Sequence, residues 1–199
     1  MSDILCITNR KLCETDFLKR LEEIAASHPK GIVLREKDLS EEAYGELAAR
    51  ALSICGAQGS LCILHSFYRV AAELGATAIH LPLGVLRTMS EAEKQAFSVI
   101  GASCHSVADG LEAERLGCTY ITAGHIFETD CKKGLPGRGL DFLREISAAV
   151  SIPVFAIGGI NETNVGTVRK AGAAGACVMS GVMRCEDVKE YLARLAEEK

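Results

Sequence analysis

The feature that most constrains this chain is an alternation repeated eight times, a short apolar run followed by a longer amphipathic one. The apolar runs predict strands at 4–8, 31–34, 60–65, 78–81, 98–103, 119–123, 154–157 and 176–179. Between and after them, helix-like stretches fall at 15–27, 40–55, 67–74, 90–96, 106–116, 140–150, 161–171 and 186–198. "SEEAYGE", "SEAEKQ" and "NETNVG" each open on a capping residue with an acid in the first turn. "ELGATAIHL", "RLGCTYITAG" and "KAGAAGACVMSG" each close a helix with glycine and enter a strand, as a left-handed closing residue requires. Strand–helix units in unbroken order specify a parallel sheet, and eight of them close a (β/α)8 TIM barrel. A doubly wound open sheet would need a glycine-rich turn after its first strand, and "CITNRKL" has none. The expectation is one compact barrel domain over residues 1–199.

Composition narrows the function. With 48% hydrophobic and 24% charged residues and a net charge of −4, the chain has no basic footprint for nucleic acid. No apolar run is long enough to span a membrane, and the opening "MSDILCITNRKL" has no signal-peptide character, so a cytoplasmic location is expected. The 9 cysteines are odd in number, form no C-x-x-C pair and fall largely inside apolar runs. They are expected to be core residues of a reducing compartment rather than disulfides or a zinc site.

In a barrel, chemistry belongs at the C-terminal ends of the strands. Arg35 and Lys37 follow strand two, two apart, so both leave one face and suit an anion, with a surface ion pair as the bland alternative. His65 and His80 end strands three and four, and Ser103 and His105 close strand five. His105 either faces the mouth with Ser103 or is a core histidine bonded to backbone. "AIGGINETN" and "VMSGVMRCED" place Gly158, Gly159, Ser180 and Gly181 after strands seven and eight, where glycines expose backbone N–H groups at the usual phosphate seat of the fold. The alternative is that these glycines only permit tight turns.

The loop after strand six, "GHIFETDCKKG", gathers His125, Thr129, Asp130, Cys131, Lys132 and Lys133. An imidazole with a reference pKa near 6.5 can give and take a proton at neutrality, and the lysines can steady an anion. Cys131 has no neighbouring base in sequence and is expected to line the pocket.

Together, "LREK", "ELGATAIHL", "GASCHS", "GHIFETDCKKG", "IPVFAIGGI" and "ACVMSG" resemble, in order, the thiamine phosphate synthase superfamily, and the sixth-loop motif resembles its thiazole tautomerase branch. A synthase of this kind has glutamine where this chain has Val33, an Asn-Asp pair at His65 and Ser66, and an aspartate after strand four where "HLPLGV" offers no acid. Those aspartates hold the magnesium that neutralises a pyrophosphate leaving group. The sixth loop of a synthase carries proline at His125 and threonine at Cys131. The resemblance therefore implies a thiazole tautomerase that isomerises a thiazole carboxylate phosphate to its aromatic form. His125 would be the acid/base, the Gly158–Gly159 and Ser180–Gly181 backbones would seat the phosphate, and Arg35, Lys37, Ser103 and residues 129–133 would hold the substrate. No metal or cofactor is called for, and a homodimer is compatible with the fold. The alternatives are a non-catalytic phosphate-ligand-binding regulator and, ranked below it, a thiamine phosphate synthase.

Overall fold

The computed structural model describes residues 3–129, 132 and 134–197. Eight parallel strands close a barrel in sequence order: β1 (Ile4–Ile7), β2 (Gly31–Leu34), β3 (Cys62–His65), β4 (Ala78–Pro82), β5 (Val99–Cys104), β6 (Tyr120–Gly124), β7 (Val154–Ile157) and β8 (Gly175–Val178). Closure comes from β1 pairing with β8 as well as with β2, so no strand edge is left open. This is the expected (β/α)8 barrel.

Ten α-helices surround it among the described residues: α1 (Phe17–Ala26), α2 (Glu41–Ala57), α3 (Tyr68–Glu73), α4 (Leu83–Leu86), α5 (Glu91–Lys94), α6 (Val107–Arg115), α7 (Gly139–Ala149), α8 (Val165–Lys170), α9 (Ser180–Arg184) and α10 (Val188–Glu197). Their starts are set by side-chain caps where the sequence offers them. Ser40 accepts from the Ala43 N–H at 3.2 Å, and Ser90 forms a reciprocal box with Glu93. The Asn161 cap does not form. Its Oδ1 takes the Thr163 N–H at 2.9 Å in a local turn, and α8 begins only at Val165. Two single-turn helices, α4 and α9, arise where no separate helix was expected.

Strand alternation divides the core in two. Ile4, Cys6, Ile32, Leu34, Ile79, Leu81 and Ile121 face the helices, whereas Leu5, Ile7, Val33, Ile63, Ala78, Tyr120, Phe155 and Cys177 fill the barrel interior. The interior is therefore packed at its lower end, and the polar side chains that share the inward phase gather at the upper end. Eight cysteines are free thiols, six of them buried, and Cys131 lies outside the described residues. Burial raises the Cys104 and Cys118 thiols to about 12, as expected for packing residues.

Candidate functional site

The upper mouth carries a cavity of about 790 Å³ between the loops after β6, β7 and β8. Thr129, Lys132, Gly159, Ser180 and Gly181 line it, so five of the expected ligand-holding residues share one space. Glu128, Asn161, Glu162, Arg184 and Tyr191 also line it. Arg184 was not anticipated from the sequence, because its place on the rim follows from α9, a helix too short to leave a periodic signal. Asp130, Cys131 and Lys133 lie outside the described residues.

The glycines after β7 are required by close packing. Gly158 and Gly159 have φ of +100° and +67°, and a Cβ on either would run into the sixth loop, at His125 and at the Glu128 carbonyl respectively. The two loops are also joined by backbone bonds, Ile126 N–H to Ile157 O at 2.9 Å and Phe127 N–H to Gly158 O at 3.1 Å. Gly181 is similarly constrained, since a Cβ there would meet the Tyr191 phenol. Gly159 and Gly181 still face the cavity, so tight packing and an accessible backbone coexist at both positions.

Beyond β2, Glu36 turns inward between its two cationic neighbours. It is 2% exposed and accepts from Thr8 Oγ1 at 2.7 Å, the Arg10 N–H at 3.0 Å and Arg10 Nη1 at 3.1 Å. With Glu36 so anchored, Lys37 lines a smaller cleft of about 220 Å³ with His65, Ser66 and Phe67. Burial, with Arg35 and Lys132 adding, pulls the Lys37 ammonium below its ordinary range. Cations from β2 and from the sixth loop thus act on one another across the mouth.

His65 and His80 stack with centroids 5.8 Å apart and are each 4% exposed. Burial first, then the neighbouring charged groups, lowers His65 to about 2 and His80 to about 3, so both are neutral imidazoles. His80 Nε2 lies 2.9 Å from Ser103 Oγ, and Ser103 is half-buried. His105 pairs through Nδ1 with the Gly124 carbonyl at 2.8 Å but is exposed, so it is bonded to backbone without being a core histidine. His125 places Nε2 3.2 Å from the Leu135 carbonyl and is not among the residues lining the large cavity.

The magnesium that the resemblance associates with a synthase does not fit these residues. After β3 stand His65 and Ser66, and β4 ends in Pro82 followed by Leu83. After β2, Glu36, the one buried acid among the described residues, is committed to Thr8 and Arg10. Among the described residues no group of His, Cys, Asp or Glu side chains is arranged to hold a metal ion. A hard dication needs clustered oxygen ligands, and this rim instead presents imidazoles and ammonium groups.

An eight-stranded parallel barrel with a polar, glycine-lined mouth after β7 and β8 defines the class of the TIM-barrel proteins. Residues 4–182 match the family model described as thiamine monophosphate synthase, and the chain belongs to that family. It is 36% identical to a thiamine-phosphate synthase of Pyrococcus horikoshii, over 96% of this chain and 93% of that one. A thiamine-phosphate synthase of Enterococcus faecalis is 35% identical, over 89% and 84% respectively. The structure of a thiamine phosphate pyrophosphorylase from Pyrococcus furiosus superposes with a TM-score of 0.84 at 30% identity, covering 98% of this chain and 94% of that one.

These relatives overturn the tautomerase expectation and, with it, the assignment to the isomerases. Proteins 31–36% identical across most of the chain carry the name of a transferase, thiamine-phosphate synthase. The tautomerase expectation rests on the sixth-loop motif, of which Asp130, Cys131 and Lys133 lie outside the described residues, and on the absence of the synthase's magnesium-binding aspartates. The proton-transfer role given to His125 loses its basis together with that branch. Among the described residues no helix is long and apolar enough to cross a membrane.

Proposed function

We propose that this chain is a transferase of the thiamine-phosphate synthase type, forming thiamine phosphate with release of pyrophosphate. The observation that carries the reading is 36% identity over almost the whole chain to a protein named for that activity. The anion-suited mouth described above supports it. In this reading the backbone around Gly158, Gly159, Ser180 and Gly181 receives the phosphate of the acceptor. Arg35, Lys37 and Lys132 face the pyrophosphate, and Ser103 and Thr129 supply hydroxyls to the reacting pair. Stabilisation of the leaving group then falls to fixed side-chain cations, which are strongest where water is excluded.

The poor fit of the β3 and β4 rim to a metal favours a second reading, a non-catalytic protein that keeps the phosphate-ligand site. One experiment separates the two. Thiamine phosphate formation is followed by fluorescent oxidation of the product, with magnesium and with a chelator, beside calorimetric titration of thiamine phosphate into the protein. Turnover establishes the synthase. Binding without turnover under both conditions establishes the ligand-binding protein, and absence of both refutes the placement of the site.

A further inference from the structure

A buried polar chain crosses three strands inside the barrel and ends at the mouth. The strand registers set His65, His80, Gly101 and Tyr120 side by side on β3, β4, β5 and β6, all in the inward phase. Gly101 leaves the space at that level empty, and the Tyr120 phenol occupies it. A Cβ on Gly101 would overlap the Tyr120 ring. Tyr120 thereby reaches over β5 to β4, where its hydroxyl lies 2.9 Å from His80 Nδ1. The opposite nitrogen, His80 Nε2, lies 2.9 Å from Ser103 Oγ, one inward position above Gly101.

The direction of these bonds follows from donor counting. Tyr120 is 6% exposed, and among the described residues the one acceptor for its phenolic proton is His80 Nδ1. A buried donor without an acceptor is costly, so the phenol donates and Nδ1 carries no proton. A neutral imidazole then bears its proton on Nε2, and Nε2–H donates to Ser103 Oγ. With one lone pair of Oγ engaged from below, the Ser103 hydroxyl proton is left to point away from the buried chain.

We infer that Tyr120 and His80 are positioning residues that fix Ser103 as a hydrogen-bond donor to ligand at the barrel mouth. The inference rests on the synthase-type ligand site proposed above for the identity of the ligand, and on the hydrogen-bond geometry alone for the relay. An acceptor atom of the bound molecule, a heteroaromatic nitrogen or a phosphate oxygen, is what such a serine selects. A cationic N–H group at the same point is disfavoured.

The test combines a spectroscopic readout with a mutant cycle. Long-range ¹H–¹⁵N spectra of the ligand-free protein report which ring nitrogen of His80 is protonated. The expected pattern is a protonated Nε2 and an unprotonated Nδ1, persisting at pH 5.5, with loss of that fixed tautomer in Tyr120→Phe. Calorimetric titration with thiamine phosphate is then compared for wild type, Tyr120→Phe, Ser103→Ala and the double variant. Each single variant is expected to bind roughly five- to tenfold more weakly, the worth of one hydrogen bond. The double variant should be no weaker than Ser103→Ala, because both changes remove the same donor. A wild-type His80 protonated at Nδ1 overturns the relay without need of any variant, and additive losses in the cycle do the same. Wild-type protein that shows the expected tautomer yet does not bind thiamine phosphate refutes the ligand site and Ser103 as its donor, leaving the relay established.

Discussion

Replacing Glu36 by alanine should be among the most damaging single changes near the mouth, and its size can be worked from the contacts. The substitution removes the acceptor of Thr8 Oγ1, a fully buried hydroxyl, and two of the acceptors of Arg10. An orphaned buried hydroxyl costs about 1–3 kcal/mol. Breaking a buried ion pair by removing one partner costs about 3–5 kcal/mol, but the Arg10 side chain is 28% exposed and keeps Asp38 at 2.6 Å, which lowers that figure. A loss of about 3 kcal/mol is therefore expected, equivalent to roughly 6–12 °C in Tm for a chain of this size. Glu36→Gln retains an acceptor for Thr8 and should lose less. Urea unfolding and thermal melting of the three proteins measure the series. A loss below about 1 kcal/mol in Glu36→Ala would show that the Thr8–Glu36–Arg10 network is not what anchors the end of β2. Because Glu36 stands between Arg35 and Lys37, the same variant should also weaken pyrophosphate binding.

Three further outcomes follow from the geometry. The unfolded chain protonates both buried histidines as pH falls through about 6.5, whereas the folded state holds His65 down at about 2 and His80 at about 3. The unfolded state thus binds more protons over this range, and stability must fall on acidification, by roughly 2 kcal/mol between pH 6.5 and 5.5. A urea midpoint unchanged from pH 7.5 to 5.5 would refute this. Gly159→Ala places a Cβ against the Glu128 carbonyl at a φ of +67°, so it should melt several degrees lower and lose phosphate affinity, measured by calorimetry. Lys37→Ala and Lys132→Ala should each weaken pyrophosphate binding by roughly tenfold at low salt, with the difference shrinking as ionic strength rises. Wild-type affinity in both variants would remove the cations from the site.

The barrel was legible because strand and helix periodicities are local. The expected strand at 98–103 and the observed Val99–Cys104 differ by one residue, and 154–157 coincides with β7. What could not be read were events decided by single side chains. Asn161 made a turn in place of a cap, and α9 was too short to show a period. The site was legible as far as strand ends could carry it, which placed Thr129, Lys132, Gly159, Ser180 and Gly181 at one mouth. The inward rotation of Glu36 follows from Thr8 and Arg10, 28 and 26 residues earlier. The Tyr120–His80–Ser103 chain needs the register of three strands and the empty position at Gly101, none of which a linear pattern reveals. The functional branch is misread because the sixth-loop motif and the absent magnesium-binding aspartates outweigh, in a sequence reading, the similarity to synthases along the whole chain. A shared barrel does not itself define a reaction.

The interlock between the loops after β6 and β7 bears on how this scaffold can be altered. Gly158 and Gly159 surrender their side-chain volume to His125, Phe127 and Glu128, and backbone bonds stitch the two segments together. Neither loop is an independent module. A graft of the sixth loop from another barrel would have to bring its seventh along, and lineages that diversify substrate choice here should exchange the two as a single cassette.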